Sequence, residues 1–314
     1  MWQNPVMPRG RKPPAEFIAD ITVPDDGIRP FRKAHQWSRD KLGILASYLQ
    51  AFATATSKKS RTRYFVDGMA GPGLYRFDDG TFVLGSTLIA LSLTPAFTKC
   101  LAVEMGPRHA HALTLRTKIF GERAVVRRGD CNVDLIPLMR EHIPPRGPAM
   151  VFLDPEGYEL AFSTIAGVAG FRIGKKVELL ILINTGSLVR TIAGRLQNDT
   201  GPWALDWAVP FDWREMAQRY KEGDLSADAL REEAASRFCD ALKTRLHYKH
   251  AFARQITRSE PGQAAIYHLA FASDDDTGAR IMRDVFDSMW SNVSRGSTAD
   301  NRSAAVVNPQ LPLF

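Results

Sequence analysis

The sequence predicts an α/β fold in which a mostly parallel sheet lies between helices and ends in an antiparallel hairpin. Short apolar segments alternate with segments of helical periodicity through the centre of the 314-residue chain, which is typical of a parallel sheet with helices on both faces. Several of these apolar segments end in a carboxylate. Two further strands flank a turn at residues 259–262, whereas a dinucleotide dehydrogenase would continue with parallel βαβ units.

The predicted elements of the N-terminal half agree with this fold when they are taken in order. Residues 1–30 are rich in proline, arginine and lysine without periodicity, which predicts a flexible basic arm. An N-terminal helix follows over residues 35–52, where Trp37, Leu45 and Leu49 recur at helical spacing. The chain then alternates between strands predicted at 64–67, 100–104, 124–127, 149–154 and 177–183 and helices predicted at 86–93, 109–119, 133–142 and 163–168.

The C-terminal half begins with an insertion after the fifth strand. Residues 184–225 form too long a connection for a compact domain. The sequence does not decide between two interpretations of this segment, a lid or substrate loop and a small helical satellite. Residues 291–314 are rich in serine, asparagine and arginine, which predicts a disordered tail. Between these two segments lie a helix at 226–247, strands at 250–256 and 264–272, and a helix at 277–290.

Composition limits the class of protein. With 45% hydrophobic and 24% charged residues, the chain is globular. Its net charge of +7 is compatible with a nucleic-acid partner but does not establish one. Cys100, Cys131 and Cys239 are far apart, so we expect reduced thiols, neither a disulfide framework nor a zinc knuckle, and a cytoplasmic protein. No apolar run predicts a signal peptide or a contact with a membrane.

The segment Asp67-Gly68-Met69-Ala70-Gly71-Pro72-Gly73, here called the glycine loop, follows the first predicted strand. Ligands of such folds bind at the carboxyl ends of the strands. Gly68, Gly71 and Gly73 let the backbone turn tightly and approach a ligand closely. An acidic residue at the start of the loop would repel a diphosphate, but it suits an ammonium group such as that of the methionine part of S-adenosylmethionine (AdoMet). A plain glycine turn would not require that carboxylate.

Two further carboxylates follow the next strands. Glu104 ends the second strand and can accept both ribose hydroxyls of a nucleoside. Asp130 follows the third strand, where it can accept a hydrogen bond from an adenine amino group, although Gly129-Asp130 is also a common turn sequence. We therefore predict a cofactor site made by Asp67, Gly68, Gly71, Gly73, Glu104 and Asp130.

The segment Asp154-Pro155-Glu156-Gly157-Tyr158 follows the fourth strand. A loop of the form Asp-Pro-Pro-Tyr at this point marks methyltransferases that act on exocyclic amines, where the acid accepts from the amine and the ring stacks on a flipped base. Here Glu-Gly replaces Pro-Tyr, so amine methylation is only suggested. Asp154 and Tyr158 are the catalytic candidates, and the alternative is that Asp154 caps the next segment while Tyr158 packs. No metal site is predicted.

Four segments resemble the three-Cys-motif partner (TcmP) proteins of bacteria, over about residues 35–290. This resemblance implies a class I AdoMet methyltransferase fold over residues 31–290, AdoMet as cofactor, and a possible partner with a three-cysteine motif that resembles a radical-AdoMet protein. We predict an AdoMet-dependent methyltransferase acting on nucleic acid, and the alternative is a non-catalytic binding module for that partner. Glu156 departs from the aromatic residue of many relatives. The four segments are Trp37 to Leu49, Tyr64 to Gly73, Gly85 to Leu91 and Val151 to Pro155.

Overall fold

The computed structural model of the chain describes residues 21–195, 204–257 and 265–295. Its strands are β1 (Thr22–Val23), β2 (Arg32–Lys33), β3 (Tyr64–Asp67), β4 (Leu74–Arg76), β5 (Phe82–Leu84), β6 (Lys99–Glu104), β7 (Ala124–Arg128), β8 (Ala149–Leu153), β9 (Glu178–Ile183), β10 (His250–Thr257) and β11 (Ala265–Ser273). Its α-helices are α1 (Gln36–Ser57), α2 (Ser86–Ser92), α3 (Pro107–Thr117), α4 (Cys131–His142), α5 (Phe162–Ala169), α6 (Thr185–Arg195), α7 (Ala204–Ala208), α8 (Trp213–Glu222), α9 (Ala227–Thr244) and α10 (Asp276–Arg295).

The main sheet has seven strands in the order β10-β11-β9-β8-β3-β6-β7. The five strands from β9 to β7 are parallel, while β11 pairs antiparallel with both β9 and β10. The chain reverses direction along the sheet after β7, so β3 and β8 are neighbours at the switch point where ligands of such sheets bind. The predicted fold class is confirmed: a Rossmann-like class I methyltransferase sheet with an antiparallel hairpin at its end.

Two hydrophobic cores cover the two faces of this sheet. Along β3, Phe65 belongs to the core that contains α1, α2 and α10, and Val66 belongs to the core that contains α4, α5 and α9. The side chains of a strand alternate between faces, so apolar residues at successive positions are needed when both faces are covered. This requirement explains the uninterrupted apolar runs of the central strands.

A second, small sheet has the strand order β1-β5-β4-β2. Its centre is the hairpin of β4 and β5. The hairpin pairs Leu74 with Leu84, directly after the glycine loop. The small sheet therefore attaches the N-terminal segment to the end of that loop.

The predicted flexible arm, residues 1–30, differs from the structure over its last ten residues. Ile21 is buried and β1 pairs with β5. Asp26 forms a buried ion pair with Arg116 of α3. Strands of two residues have no periodicity that a sequence could reveal, so this docking was not predicted. Residues 1–20, with Arg9, Arg11 and Lys12, lie outside the described residues.

The insertion after β9 forms three helices where it is described, and its role as a lid or as a packing satellite stays a prediction. Helices α6, α7 and α8 pack with the start of α9 around a small core that contains Leu188, Leu205 and Trp213. Asp212 caps α8 by accepting hydrogen bonds from the Arg214 and Glu215 amides. Residues 196–203 lie outside the described part.

The last helix, α10, continues to Arg295, so the first five residues of the predicted tail are helical. Residues 296–314 lie outside the described ranges. Among the helices that the structure describes, none is long and apolar enough to span a membrane.

Candidate cofactor and acceptor site

The glycine loop connects β3 to the small sheet and requires its glycines for different reasons. A Cβ at Gly68 would lie 2.5 Å from Leu153 Cδ2, so this glycine allows β8 to approach the loop. Gly71 and Gly73 have φ values of +64° and +86°, a region that disfavours residues with a side chain. The loop therefore presents bare backbone at the carboxyl end of β3, as a ligand-binding turn requires.

Asp67 is fully buried at the start of this loop. Its Oδ2 accepts hydrogen bonds from Ser86 Oγ at 2.5 Å and Thr87 Oγ1 at 2.8 Å, both at the start of α2. Its Oδ1 is buried without a hydrogen bond of normal geometry among the described residues. Burial raises the pKa of Asp67 to about 6, against the opposing effect of the two hydroxyl bonds. A buried carboxylate oxygen with unused capacity fits a ligand that donates, such as an ammonium group or a bound water.

Glu104 lies beside the glycine loop at the end of β6. Its Oε2 accepts from the Gly71 amide at 2.8 Å, and its Oε1 accepts from the Gly106 amide at 2.7 Å. These two bonds fix the carboxylate between two turns, and each oxygen keeps a further lone pair. The predicted contact of Glu104 with a ribose stays a prediction.

Asp130 occupies the corresponding place after β7. It caps α4 by accepting a hydrogen bond from the Asn132 amide at 2.8 Å, and it is exposed. The cap explains why an aspartate stands here without any ligand. Its predicted contact with adenine stays a prediction.

Asp154 lies at the end of β8, adjacent to β3 in the sheet. Its carboxylate is buried and forms an ion pair with Lys41 Nζ from α1. The phenols of Tyr75 and Tyr267 lie close enough that the Asp154 charge contributes to raising their pKa values, although burial is the main cause. The predicted catalytic aspartate is therefore buried and paired with one ammonium group.

The segment after Asp154 is held by its own side chains. Glu159 accepts hydrogen bonds from the Glu156 and Gly157 amides at 2.5 and 2.8 Å. Asn184 Nδ2 donates to the Glu156 carbonyl at 2.5 Å. The Glu156 carboxylate is exposed and pairs with Arg32 of β2. An ion pair to the small sheet therefore holds the Glu156 side chain.

Tyr158, the second catalytic candidate, packs against the small core of α6, α7 and α8. Burial raises its pKa. Its hydroxyl contacts the Asn184 carbonyl at 3.5 Å. These contacts favour the alternative that Tyr158 packs.

Sequence reasoning missed Lys41 as a site residue. It lies four residues after Trp37 and four before Leu45, on the apolar face of α1. A lysine on such a face is a detectable signal, because a buried ammonium requires a partner. The Ser86 and Thr87 hydroxyls were noticed only as part of a resemblance, and their contact with Asp67 explains why the two residues stand there.

Comparison with known proteins supports the fold but does not assign the chain to a family. No family model matches the chain, and no curated protein matches it. The chain is similar in structure to protein LPL1258 of Legionella pneumophila, of family model DUF519, with a TM-score of 0.51 and 13% identity over 81% of this chain and 92% of that one.

Two further solved structures are similar at lower scores. One is the N-terminal domain of human METTL16 in complex with SAH, with a TM-score of 0.40 and 11% identity over 74% of this chain and 71% of that one. The other is an rRNA methylase of Streptococcus thermophilus, with a TM-score of 0.38 and 9% identity over 74% and 96%. The resemblance to TcmP proteins is not confirmed by these comparisons. The chain has the Rossmann-like methyltransferase fold.

Proposed function

We propose that the chain is an AdoMet-dependent methyltransferase that acts on an amino group of a nucleic-acid base. The observation that carries this proposal is the buried ion pair of Lys41 and Asp154. Asp154 follows β8, and β8 lies next to β3, after which the glycine loop begins. A buried charged pair beside a ligand-binding loop is a common property of active sites.

The cofactor would lie along the carboxyl ends of β3, β6 and β7. Asp67 would receive the ammonium group of its methionine part, directly or through water, on the unbonded Oδ1. Glu104 would accept from the ribose and Asp130 from the adenine. When bound, AdoMet supplies an electrophilic methyl group at this edge of the sheet.

Asp154 would orient the acceptor. A carboxylate that accepts a hydrogen bond from an amino group holds its nitrogen in place and turns the lone pair toward the reacting carbon. Lys41, which lies on α1, acts as a positioning residue, because its ion pair holds the Asp154 carboxylate in place. Tyr75 and Tyr267 are both buried, and we infer that their rings help to exclude water from the Asp154 carboxylate.

The preference for a nucleic acid rests on charge. The net charge of +7 favours a polyanionic substrate. Exposed Arg108 and Arg128 stand just after β6 and at the end of β7, at the same edge as the candidate site. Such cations can contact the phosphates that flank a base in the site.

The test is transfer of labelled methyl from AdoMet to total RNA and to total DNA. We expect labelled nucleic acid with the wild type and with the control Asp224→Ala. The Asp224 side chain is exposed and far from Asp154 in the sequence. Asp154→Ala should lower transfer about a hundredfold while S-adenosylhomocysteine still binds.

Two outcomes would contradict parts of the proposal. Cofactor binding without transfer to either nucleic acid would favour the non-catalytic module, which co-purification with a three-Cys-motif protein would then test. Full transfer by Asp154→Ala would remove Asp154 from the mechanism.

A further inference from the structure

A second cavity, of about 430 Å³, opens at the opposite edge of the main sheet. Ala149 and Glu178, the first residues of β8 and β9, line it together with Ser273 at the end of the antiparallel β11. The six residues of β9 separate this edge from the candidate cofactor site by about 17 Å. The volume is in the range of small-molecule sites. This cavity therefore belongs to neither part of the proposed active site.

The floor of the cavity is a buried carboxyl group. Glu178 accepts hydrogen bonds from Tyr48 Oη at 2.5 Å and from Ser273 Oγ at 2.9 Å, one on each oxygen. No lysine or arginine forms an ion pair with it among the described residues. Burial raises the pKa of Glu178 to about 7. A carboxyl group that is costly to bury and forms no ion pair suggests a ligand that supplies further donors.

The walls between floor and mouth are apolar. They include Phe52, Pro148 and Ile281. Gly278 completes one wall, and a Cβ there would lie 2.4 Å from Glu178 Oε1. The glycine therefore lets α10 close the cavity without displacing the carboxyl group. Apolar walls of this kind suit a flat ring.

The mouth carries positive charge. Lys59 and Arg146 are exposed at the rim, and Arg172 is half-buried. In the part of the chain that the structure describes, these three cations form no ion pair with a carboxylate. By contrast, the rim residue Lys175 is neutralised by Asp275 at 2.7 Å. Three cations at one opening that form no ion pair among the described residues suggest an anionic group as ligand.

We propose that this cavity is a second ligand site and that its ligand is a nucleoside phosphate. The phosphate would lie among Lys59, Arg146 and Arg172, the base between the apolar walls, and its N–H donors against Glu178. Inorganic phosphate would use only the mouth and would offer no further donor to the carboxyl floor. A nucleic-acid strand would use the rim cations but would not need an enclosed floor. The combination of mouth, walls and floor therefore favours a single nucleotide, independently of the proposed function.

The experiment is calorimetric titration of the full chain, saturated with S-adenosylhomocysteine, with guanosine 5′-monophosphate. Guanine is the chosen probe because it offers two adjacent N–H donors that match the two oxygens of a carboxylate. We expect binding of this nucleotide at least about tenfold tighter than binding of guanosine or inorganic phosphate. Binding that is abolished by S-adenosylhomocysteine would place the nucleotide in the cofactor site and overturn the proposal.

Two variants and a control make the test specific. Lys59→Gln/Arg146→Gln changes only exposed side chains and should weaken nucleotide binding about tenfold or more, whereas Lys221→Gln on α8 should not. Glu178→Gln should weaken binding of the nucleotide and leave that of inorganic phosphate unchanged. Unchanged nucleotide affinity in the double variant would overturn the proposal. So would a double variant that weakens binding of a single-stranded RNA oligomer while no nucleotide binds to the wild type, since the cations would then serve a nucleic-acid surface.

Discussion

The ammonium group of Lys41 and the carboxylate of Asp154 form a buried ion pair between residues 113 positions apart in the sequence. Removing two charges from water costs several kcal/mol for each ion, and their attraction repays this cost only in good geometry. An apolar pair of similar volume would often stabilise the fold as well or better. Stability alone therefore does not account for this pair, whereas a role in orienting Asp154 does.

Lys41→Met should destabilise the protein by about 3 kcal/mol, because the Asp154 carboxylate would stay buried without a cation. Adding Asp154→Asn should restore much of this loss, since the charge is then removed. Urea unfolding of the two single variants and the double variant measures the coupling. Lys58→Met, at the exposed end of the same helix, is the control. Equal stability of the Lys41 and Lys58 variants would contradict the buried pair.

Glu104→Gln should weaken S-adenosylhomocysteine binding about tenfold, because a charged acceptor for the ribose is lost. The substitution keeps the size of the side chain, and one oxygen remains to accept from a backbone amide. Calorimetry gives the dissociation constant. Glu141→Gln, which changes an exposed glutamate of α4, should leave it unaltered. An unaltered constant in both variants would exclude Glu104 from the cofactor site.

Asp67 should make stability depend on pH. Its pKa is about 6 in the folded chain, compared with an ordinary value of 3.8. Between these values the folded state holds a proton that the unfolded state has lost, so the free energy of unfolding decreases as pH rises from about 4 to 6. The decrease assigned to Asp67 is about 3 kcal/mol.

Asp67→Asn should remove this part of the pH dependence. Asp40 and Glu178 also have raised pKa values, so the quantity to compare is the difference between wild type and variant in urea unfolding across this pH range. A difference that does not change between pH 4 and 6 would show that Asp67 titrates normally.

The N-terminal arm can be tested as a nucleic-acid contact by removing residues 1–20. Residues 21–30 must be kept, because they pack on the small sheet. We expect lower affinity for a single-stranded oligomer and a salt dependence that is flatter by about 0.7 in log–log slope for each lost phosphate contact. Fluorescence anisotropy at several salt concentrations measures both.

A charge variant distinguishes the loss of positive charge from the loss of chain length as the cause of a lower affinity. Replacing Arg9, Arg11 and Lys12 by glutamine keeps the length of the arm and should reproduce most of the loss. Cofactor affinity should stay the same in both proteins. If full-length and shortened chains have the same affinity and the same salt slope, the arm does not contact nucleic acid.

Strand positions could be predicted best from the sequence where both faces of the sheet are covered. Strand β3 was predicted and observed at residues 64–67, and β8 was predicted only one residue too long. A central parallel strand must be apolar at every position, which makes it easy to recognise. The glycine loop was predictable for a related reason, since its backbone conformation restricts the residue type.

Features that depend on contacts between distant segments were not predictable. The contact between Lys41 and Asp154 depends on how α1 crosses the sheet, which no local pattern encodes. The small sheet is made of strands of two or three residues, too short to show alternation. The helices after β9 pack on a core of their own, and α7, with five residues, is too short to show a helical repeat.

Arg116 illustrates how a single side chain can join segments of the protein that are distant in the sequence. Its guanidinium uses all five N–H donors: two on Asp26, and one each on the carbonyls of Ile28, Pro30 and Pro72. Three of these acceptors belong to the N-terminal segment and the fourth to the glycine loop. A protease that cuts near Ile28 should therefore act more slowly when a ligand holds the loop, and the cutting rate would then report occupancy of the site without any measurement of methyl transfer.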